Sequence, residues 1–383
     1  MAVYGSVEPG FEGVRHAFAR NFAERGEVGA ALCVRHRGRP VVDLWGGLAD
    51  RETGRPWERD TLCLVFSATK GVTAIVVHRL IERGVLVLDA PVARWWPEFG
   101  AAGKGAITLR DVLTHRAGLA TVDATLTLDE VLAWRPVCDA IAAQAPDPRT
   151  RDAHGYHVRS YGWILGEVVR RATGRSIGRL FAEEIAAPLG LAFWIGLPAA
   201  QEPRVATLYA APEPTDPKQK KLRDRFLGPD TLLGRALAGP SNLFHYGPMW
   251  NTRALHAAEL PSSNGIGDAR SLAKLYAAAI GAVDGIRLLD AATVERAARE
   301  EVSGADAVIF LPTRFGQGFM LPPTLSPACR EGSFGHPGAG GSLAFADPGA
   351  AIGFGYVMNQ MQLGLVGDER AAALVEAVYA SLR

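Results

Sequence analysis

Residues 66–77 read FSATKGVTAIVV, and Ser67 and Lys70 stand out there as chemically capable groups in an otherwise apolar run. Positions i and i+3 share one face of a helix. Ala68, Val72, Ile75 and Val76 mark that helix as buried, so the lysine would lie along a desolvated surface. Desolvation disfavours an ammonium and makes the neutral amine accessible. A neutral amine one turn from a hydroxyl is a general base beside a nucleophile. The helix N-terminus adds N–H groups that can face a developing oxyanion. Serine is also a favoured N-cap, so a structural role for Ser67 exists; Lys70 is harder to explain that way. The chain carries its own control in Ser271-Leu272-Ala273-Lys274. That second pair sits in GDARSLAKLYAAAI, an amphipathic helix with a polar start, and Ser271 is expected there as a surface or capping residue.

The elements that must hold this pair follow from periodicity. Phe11, Val14, Phe18 and Phe22 recur at helical spacing. GAALCVRHRGRPVVDLWGG then reads as two strands around a turn at Arg37-Gly38-Arg39-Pro40. Near the other end, RFGQGFML, GSLAFADP and AIGFGYVMN read as three strands, closed by the amphipathic helix GDERAAALVEAVYASLR. Residues 70–84, 127–144, 159–173 and 268–281 have helical periodicity. Strands at both ends with helices between them predict an α/β (α+β) fold with an inserted, mostly helical region. The α/β part is expected to comprise 1–60 with 285–383, and the helical part 61–284. A small-molecule site belongs in the cleft between them.

Bulk properties narrow the function. The chain has 383 residues with 41 basic and 40 acidic side chains, a balance that argues against nucleic-acid binding. Cys33, Cys63, Cys138 and Cys329 are scattered and form no CxxC pair, which argues against a zinc site built on them. The N-terminal residues show neither a basic nor an apolar leader region, and no run of 18 apolar residues exists, so a cytoplasmic protein without a membrane span is expected. GxGxxG and GxSxG are both absent, against a dinucleotide site and an α/β-hydrolase elbow.

The SxxK element and the segments after it resemble the serine β-lactamase and penicillin-binding-protein superfamily, most closely its family VIII carboxylesterases. ITLRDVLTHRAGL, residues 107–119, is similar to that family's LLTHxSGL marker. HPGAGGSLAFADP, residues 336–348, looks like its KTG-bearing strand, with His336-Pro337-Gly338 in the KTG position. SSNGIGDARSLAKLY and RFGQGFML also resemble family segments. The resemblance implies a β-lactamase/transpeptidase-like fold with an antiparallel sheet, and a cofactor-free, metal-free reaction through an acyl-serine. It implies Ser67 as nucleophile, Lys70 as base and a tyrosine as proton relay. It also implies the N–H groups of Ser67 and Ala339 as oxyanion hole, with His336 and Gly338 beside the substrate.

Tyr156, in HGYHVRSYGWILGEVVRR, is the natural match to the family's Tyr-x-Asn tyrosine, although a gap-free count lands on His157. Neither option supplies the asparagine, because Val158 and Arg159 stand there instead. With His336 and Pro337 replacing the KTG lysine and hydroxyl, this departure speaks against a lactamase. A hydrolase for short-chain carboxylic esters is therefore expected. An acyltransferase to a natural-product alcohol, a weak β-lactamase or D-Ala-D-Ala peptidase, and an inert scaffold are the alternatives.

Tyr161 is expected to pack in the core, and His115 to hydrogen-bond a loop. Trp45, Phe244, Trp250 and Phe315 are candidates for an acyl pocket. PKQKKLRDRF, residues 217–226, reads as a solvated basic face. His154 and His157 form an HxxH without a third ligand in view.

Overall fold

Alternating apolar residues set the central layer, because successive strand side chains point to opposite faces. The computed structural model describes residues 2–382. Six strands, β1 (Val3–Val7), β2 (Gly29–His36), β3 (Arg39–Asp50), β4 (Phe334–Pro337), β5 (Leu343–Asp347) and β6 (Ile352–Met358), join in the order β1-β3-β2-β6-β5-β4. Every neighbouring pair is antiparallel. Leu32, Val34, Phe354 and Tyr356 face one side, where α1 (Glu12–Glu24) and α5 (Glu369–Ser381) pack through Val14, Phe18, Leu374 and Val378. Ala31, Cys33 and Val357 face the other side, toward Leu272 and Tyr276.

The middle of the chain supplies α2 (Ala68–Glu82), α3 (Ser160–Thr173) and α4 (Ala269–Ile280). Helix α2 contacts β4 and β5 on one side and α3 on the other, so it lies where sheet and helices meet. Helix α4 packs on β2, β5 and β6. It covers the sheet face opposite α1 and α5.

Two expectations need correcting. RFGQGFML contributes only the end of the strand Pro312–Phe315, which pairs with Val302–Ala305 outside the main sheet. Beyond it the chain turns through Gly318 at φ +91°, and the Gln317 carbonyl accepts from His78 Nε2. The helix expected over 127–144 breaks into Leu128–Leu132 and Arg135–Ala143. Trp134 between them takes φ +70° and donates its indole N–H to Glu167. Strand β1 escapes sequence reading because its inner residues are exposed and carry no alternation. The basic run forms the helix Pro217–Leu227, most of whose described side chains are exposed. All four cysteines are free and buried. No helix among the described residues is long and apolar enough to cross a membrane.

One buried cation ties the ends of the chain to the turn between β4 and β5. Arg370 donates to Glu27 Oε1 at 3.1 Å, to Asp368 Oδ2 at 2.8 Å, and to the carbonyls of Gln360 at 2.8 Å and Gly340 at 2.6 Å. Truncating one member of such a network strands the others without a partner. Arg370→Met is expected to cost about 3–5 kcal/mol, read as a lower midpoint in urea unfolding at unchanged slope. A loss below about 1 kcal/mol would show that the network carries little of the fold's stability.

Candidate active site

The segment before α2 is pinned before the serine is reached. Cys63–Leu64 pairs with Ile266–Gly267, which also pairs with Phe193–Trp194. Phe66 then takes φ +43°, a conformation that non-glycine residues rarely adopt and that clusters at functional sites. Ser67 follows at the N-cap position of α2, yet its side chain makes no capping hydrogen bond. A capping serine would stabilise the helix by about 1 kcal/mol. Here that contribution is forgone and the hydroxyl stays available.

Its partner is Lys70. The amine is fully buried and lies 3.2 Å from Ser67 Oγ. It donates to the carbonyl oxygens of Val158 at 2.7 Å and Ser262 at 3.0 Å. A neutral amine here can donate to both carbonyls and turn its lone pair to the Ser67 hydroxyl. Ionising it would strengthen each carbonyl bond by about 1–2 kcal/mol, against several kcal/mol for burying a cation without a counter-ion. Burial, with a smaller contribution from the Arg159 guanidinium, holds the Lys70 pKa well below the ordinary lysine value.

The neighbouring elements are stitched to fix this contact. Thr69 Oγ1 accepts from Gly265 N at 2.8 Å, and Thr73 Oγ1 donates to Pro261 O at 2.6 Å. The 261–265 loop, which carries the Ser262 carbonyl, is thus sewn to the first turns of α2. On its other side the loop lies against α3 at Gly162, where a Cβ would come within 2.5 Å of Ser262 N. Only glycine permits that approach.

Tyr156 stands over the amine, with Lys70 Nζ 4.8 Å from its ring centroid. Burial pushes the phenol far above its usual pKa, while a hydrogen bond with Ser67 works the other way. Its hydroxyl also lies 3.4 Å from His336 Nε2. The His336 Nδ1–H donates to Pro337 O at 2.7 Å, so Nε2 is left as the acceptor facing the phenol. Burial lowers His336 to about 3, and the ring is neutral. Of the two candidates at this place, Tyr156 is the one beside Lys70 and His336. His157 turns away: its Nδ1 donates to Gly155 O at 2.6 Å and its Nε2 accepts from Leu119 N at 3.1 Å. His115 accepts from His157 N at 3.1 Å, in a loop-holding position.

Sequence reasoning missed Asp306. This buried carboxylate accepts from the backbone N–H of Tyr156 at 3.0 Å, and from Val308 and Ile309 at 2.8 Å and 3.0 Å. It fixes the backbone that presents the phenol. No sequence signal marks it, because the Tyr156 main chain that it holds lies 150 residues away.

The turn after β4 docks on the Ser67 segment. Gly338 lies so close to Val65 that a Cβ would meet its carbonyl at 2.1 Å, and Ser342 Oγ donates to the same carbonyl at 2.9 Å. Within the turn the N–H groups of Gly338, Gly340 and Gly341 all donate to carbonyls. Among the described residues, those of Ala339 and Ser67 meet no acceptor.

Other expectations divide. Tyr161 is fully buried, as core packing requires. Phe244 and Trp250 gather with Phe66 beside Ser67: Phe66 and Trp250 rings lie 5.0 Å apart, and Phe244 stacks on Trp250 at 5.6 Å. Phe315 packs behind Tyr156 and His115, while Trp45 stacks on Tyr4 at the β1 side of the sheet. The control serine, Ser271, is buried rather than on the surface: its hydroxyl accepts from Ala192 N at 2.8 Å, and Lys274 pairs with Asp284 at 2.6 Å. His154 directs Nε2 to Thr313 Oγ1 at 2.7 Å.

Comparison with known proteins agrees with this geometry. A family model described as Beta-lactamase matches residues 14–379. The esterase/beta-lactamase LipL of Mycobacterium tuberculosis is 36% identical, over 96% of this chain and 86% of its own. A crystal structure of a family VIII carboxylesterase superposes with TM-score 0.89 at 39% identity, over the whole of both chains. A penicillin-binding protein homolog from Caulobacter crescentus gives 0.87 at 37%, again over both chains entire. On the family match across nearly its whole length, the chain belongs to the Beta-lactamase family.

Proposed function

We propose that this protein is a serine hydrolase of short-chain carboxylic esters that works through an acyl-serine. The carrying observation is the buried Lys70 amine 3.2 Å from Ser67 Oγ, its pKa lowered by burial. Lys70 takes the hydroxyl proton as Ser67 attacks the ester carbonyl. The N–H groups of Ser67 and Ala339 receive the oxyanion; removing one such donor in other enzymes costs about 3 kcal/mol. Tyr156, protonated at rest, passes its proton to the leaving alkoxide and regains one from the Lys70 ammonium in the same step. Water then enters by the reverse proton path. Every group in the scheme is protein, and no cofactor takes part.

His336 favours the ester reading over a lactamase. Relatives that bind penicillins use a cation and a hydroxyl at that place. A neutral imidazole turned toward Tyr156, followed by Pro337, offers neither. LipL carries both activities in its name, and slow turnover of a chromogenic cephalosporin is the expected extent here. The free, buried cysteines suit a reducing compartment, and we place the protein in the cytoplasm.

A panel of 4-nitrophenyl esters from acetate to dodecanoate should give turnover on the short chains. Ser67→Ala should abolish it, and a phosphonate should label Ser67 stoichiometrically by mass spectrometry. Activity surviving Ser67→Ala removes the assignment. Lys70→Ala should be nearly as severe, since residues acting as a unit are not additive. The acid limb of kcat/KM follows protonation of the amine. Because burial depresses that pKa, the limb should lie well below the ordinary lysine range with a plateau above it; a rate still climbing tenfold per unit toward pH 10 contradicts a neutral resting Lys70.

A further inference from the structure

The site holds a buried cation that the mechanism does not use. Arg159 is 5% exposed and opens the turn into α3, three residues after Tyr156. Its Nε donates to Leu237 O at 2.7 Å and its Nη1 to Ser263 Oγ at 3.3 Å. Its Nη2 is buried and has no hydrogen-bond partner. No carboxylate among the described residues pairs with it; the groups favouring its charge are the hydroxyls of Tyr246 and Tyr156. Burial lowers the guanidinium to about 10, so it is still ionised at neutral pH.

Its surroundings are those of the reaction centre. The guanidinium carbon lies 4.4 Å from the Phe244 ring centroid and 5.2 Å from that of Trp250. Trp250 and Tyr246 both meet Phe66, which precedes the nucleophile. Ser262, whose carbonyl accepts from Lys70, donates its hydroxyl to Arg159 O at 2.9 Å. The aromatic faces offset part of the cost of a buried cation, but they leave Nη2 and the second Nη1 hydrogen free. With Nε occupied, the donors left over are at the Nη1–Nη2 end, the pair that matches the two oxygens of a carboxylate.

Building on the ester-hydrolase reading, we propose that Arg159 forms a carboxylate-binding subsite, and that the preferred substrates are esters bearing a second, ionised carboxyl group. This subsite is distinct from the His336 position, where relatives place their substrate-binding cation.

The test compares matched esters on the native enzyme: 4-nitrophenyl hexanoate against mono-4-nitrophenyl adipate, and the octanoate against the suberate. At low salt, at least one acidic ester should show tenfold or greater preference in kcat/KM, carried by KM. That ratio should collapse in Arg159→Gln and return in part in Arg159→Lys. Preference for the neutral ester in both pairs overturns the proposal and leaves the hydrolase reading standing. So does an acidic-to-neutral ratio that Arg159→Gln leaves unchanged. Calorimetry on Ser67→Ala reads the subsite without turnover: monomethyl adipate should bind at least tenfold tighter than methyl hexanoate, and equal or weaker binding contradicts the subsite even if no ester is cleaved.

Discussion

A primary amine buried without a counter-ion, touching one hydroxyl and two carbonyl oxygens, is the constraint around which the structure is arranged. An ammonium in that place would need an anion, and none is supplied. The surrounding chain instead provides two neutral acceptors, from the Val158 and Ser262 carbonyls, and leaves the third valence for Ser67. Those carbonyls belong to segments nearly 90 and 190 residues away from the lysine. The threonines at 69 and 73, the close approach at Gly162 and the short sheet through Ile266–Gly267 all serve to bring them in. Sheet and helical region meet at α2 because the reaction needs groups from both.

Around Ser67, Lys70 and Tyr156 the polar groups are unevenly charged. His336 is neutral and faces the Tyr156 hydroxyl. Val158 lends a carbonyl to Lys70, and the Arg159 guanidinium next to it lies over Phe244 and Trp250. The turn that offers the Ala339 N–H is fixed through Gly340 to Arg370, which is why a helix at the far end of the chain bears on the reaction centre.

Much of this was legible in the sequence, for identifiable reasons. Ser67 and Lys70 declare themselves because polar groups in an apolar helix need an explanation. The strands β2, β3, β5 and β6 and the helices α1, α4 and α5 follow from period 2 and period 3.6 patterns. The antiparallel sheet and the β-lactamase fold came from the resemblance of ordered segments. What stayed hidden depends on contacts distant in sequence. Asp306 looks like any acidic loop residue until its carboxylate is seen to collect main-chain N–H groups. Trp134 reads as a helical position, but its hydrogen bond to Glu167 breaks the helix. Tyr156 and His157 could not be separated by counting, since only the loop that engages both His157 nitrogens decides which one faces the serine.

The charge on Lys70 can be measured directly. Protein labelled with 13C at the lysine Cε, assigned through Lys70→Arg, gives the titration of that one amine by NMR between pH 5 and 11. The account predicts a midpoint well below the ordinary lysine value of about 10.4. A Lys70 signal that titrates near 10, in step with the exposed lysines, would contradict it.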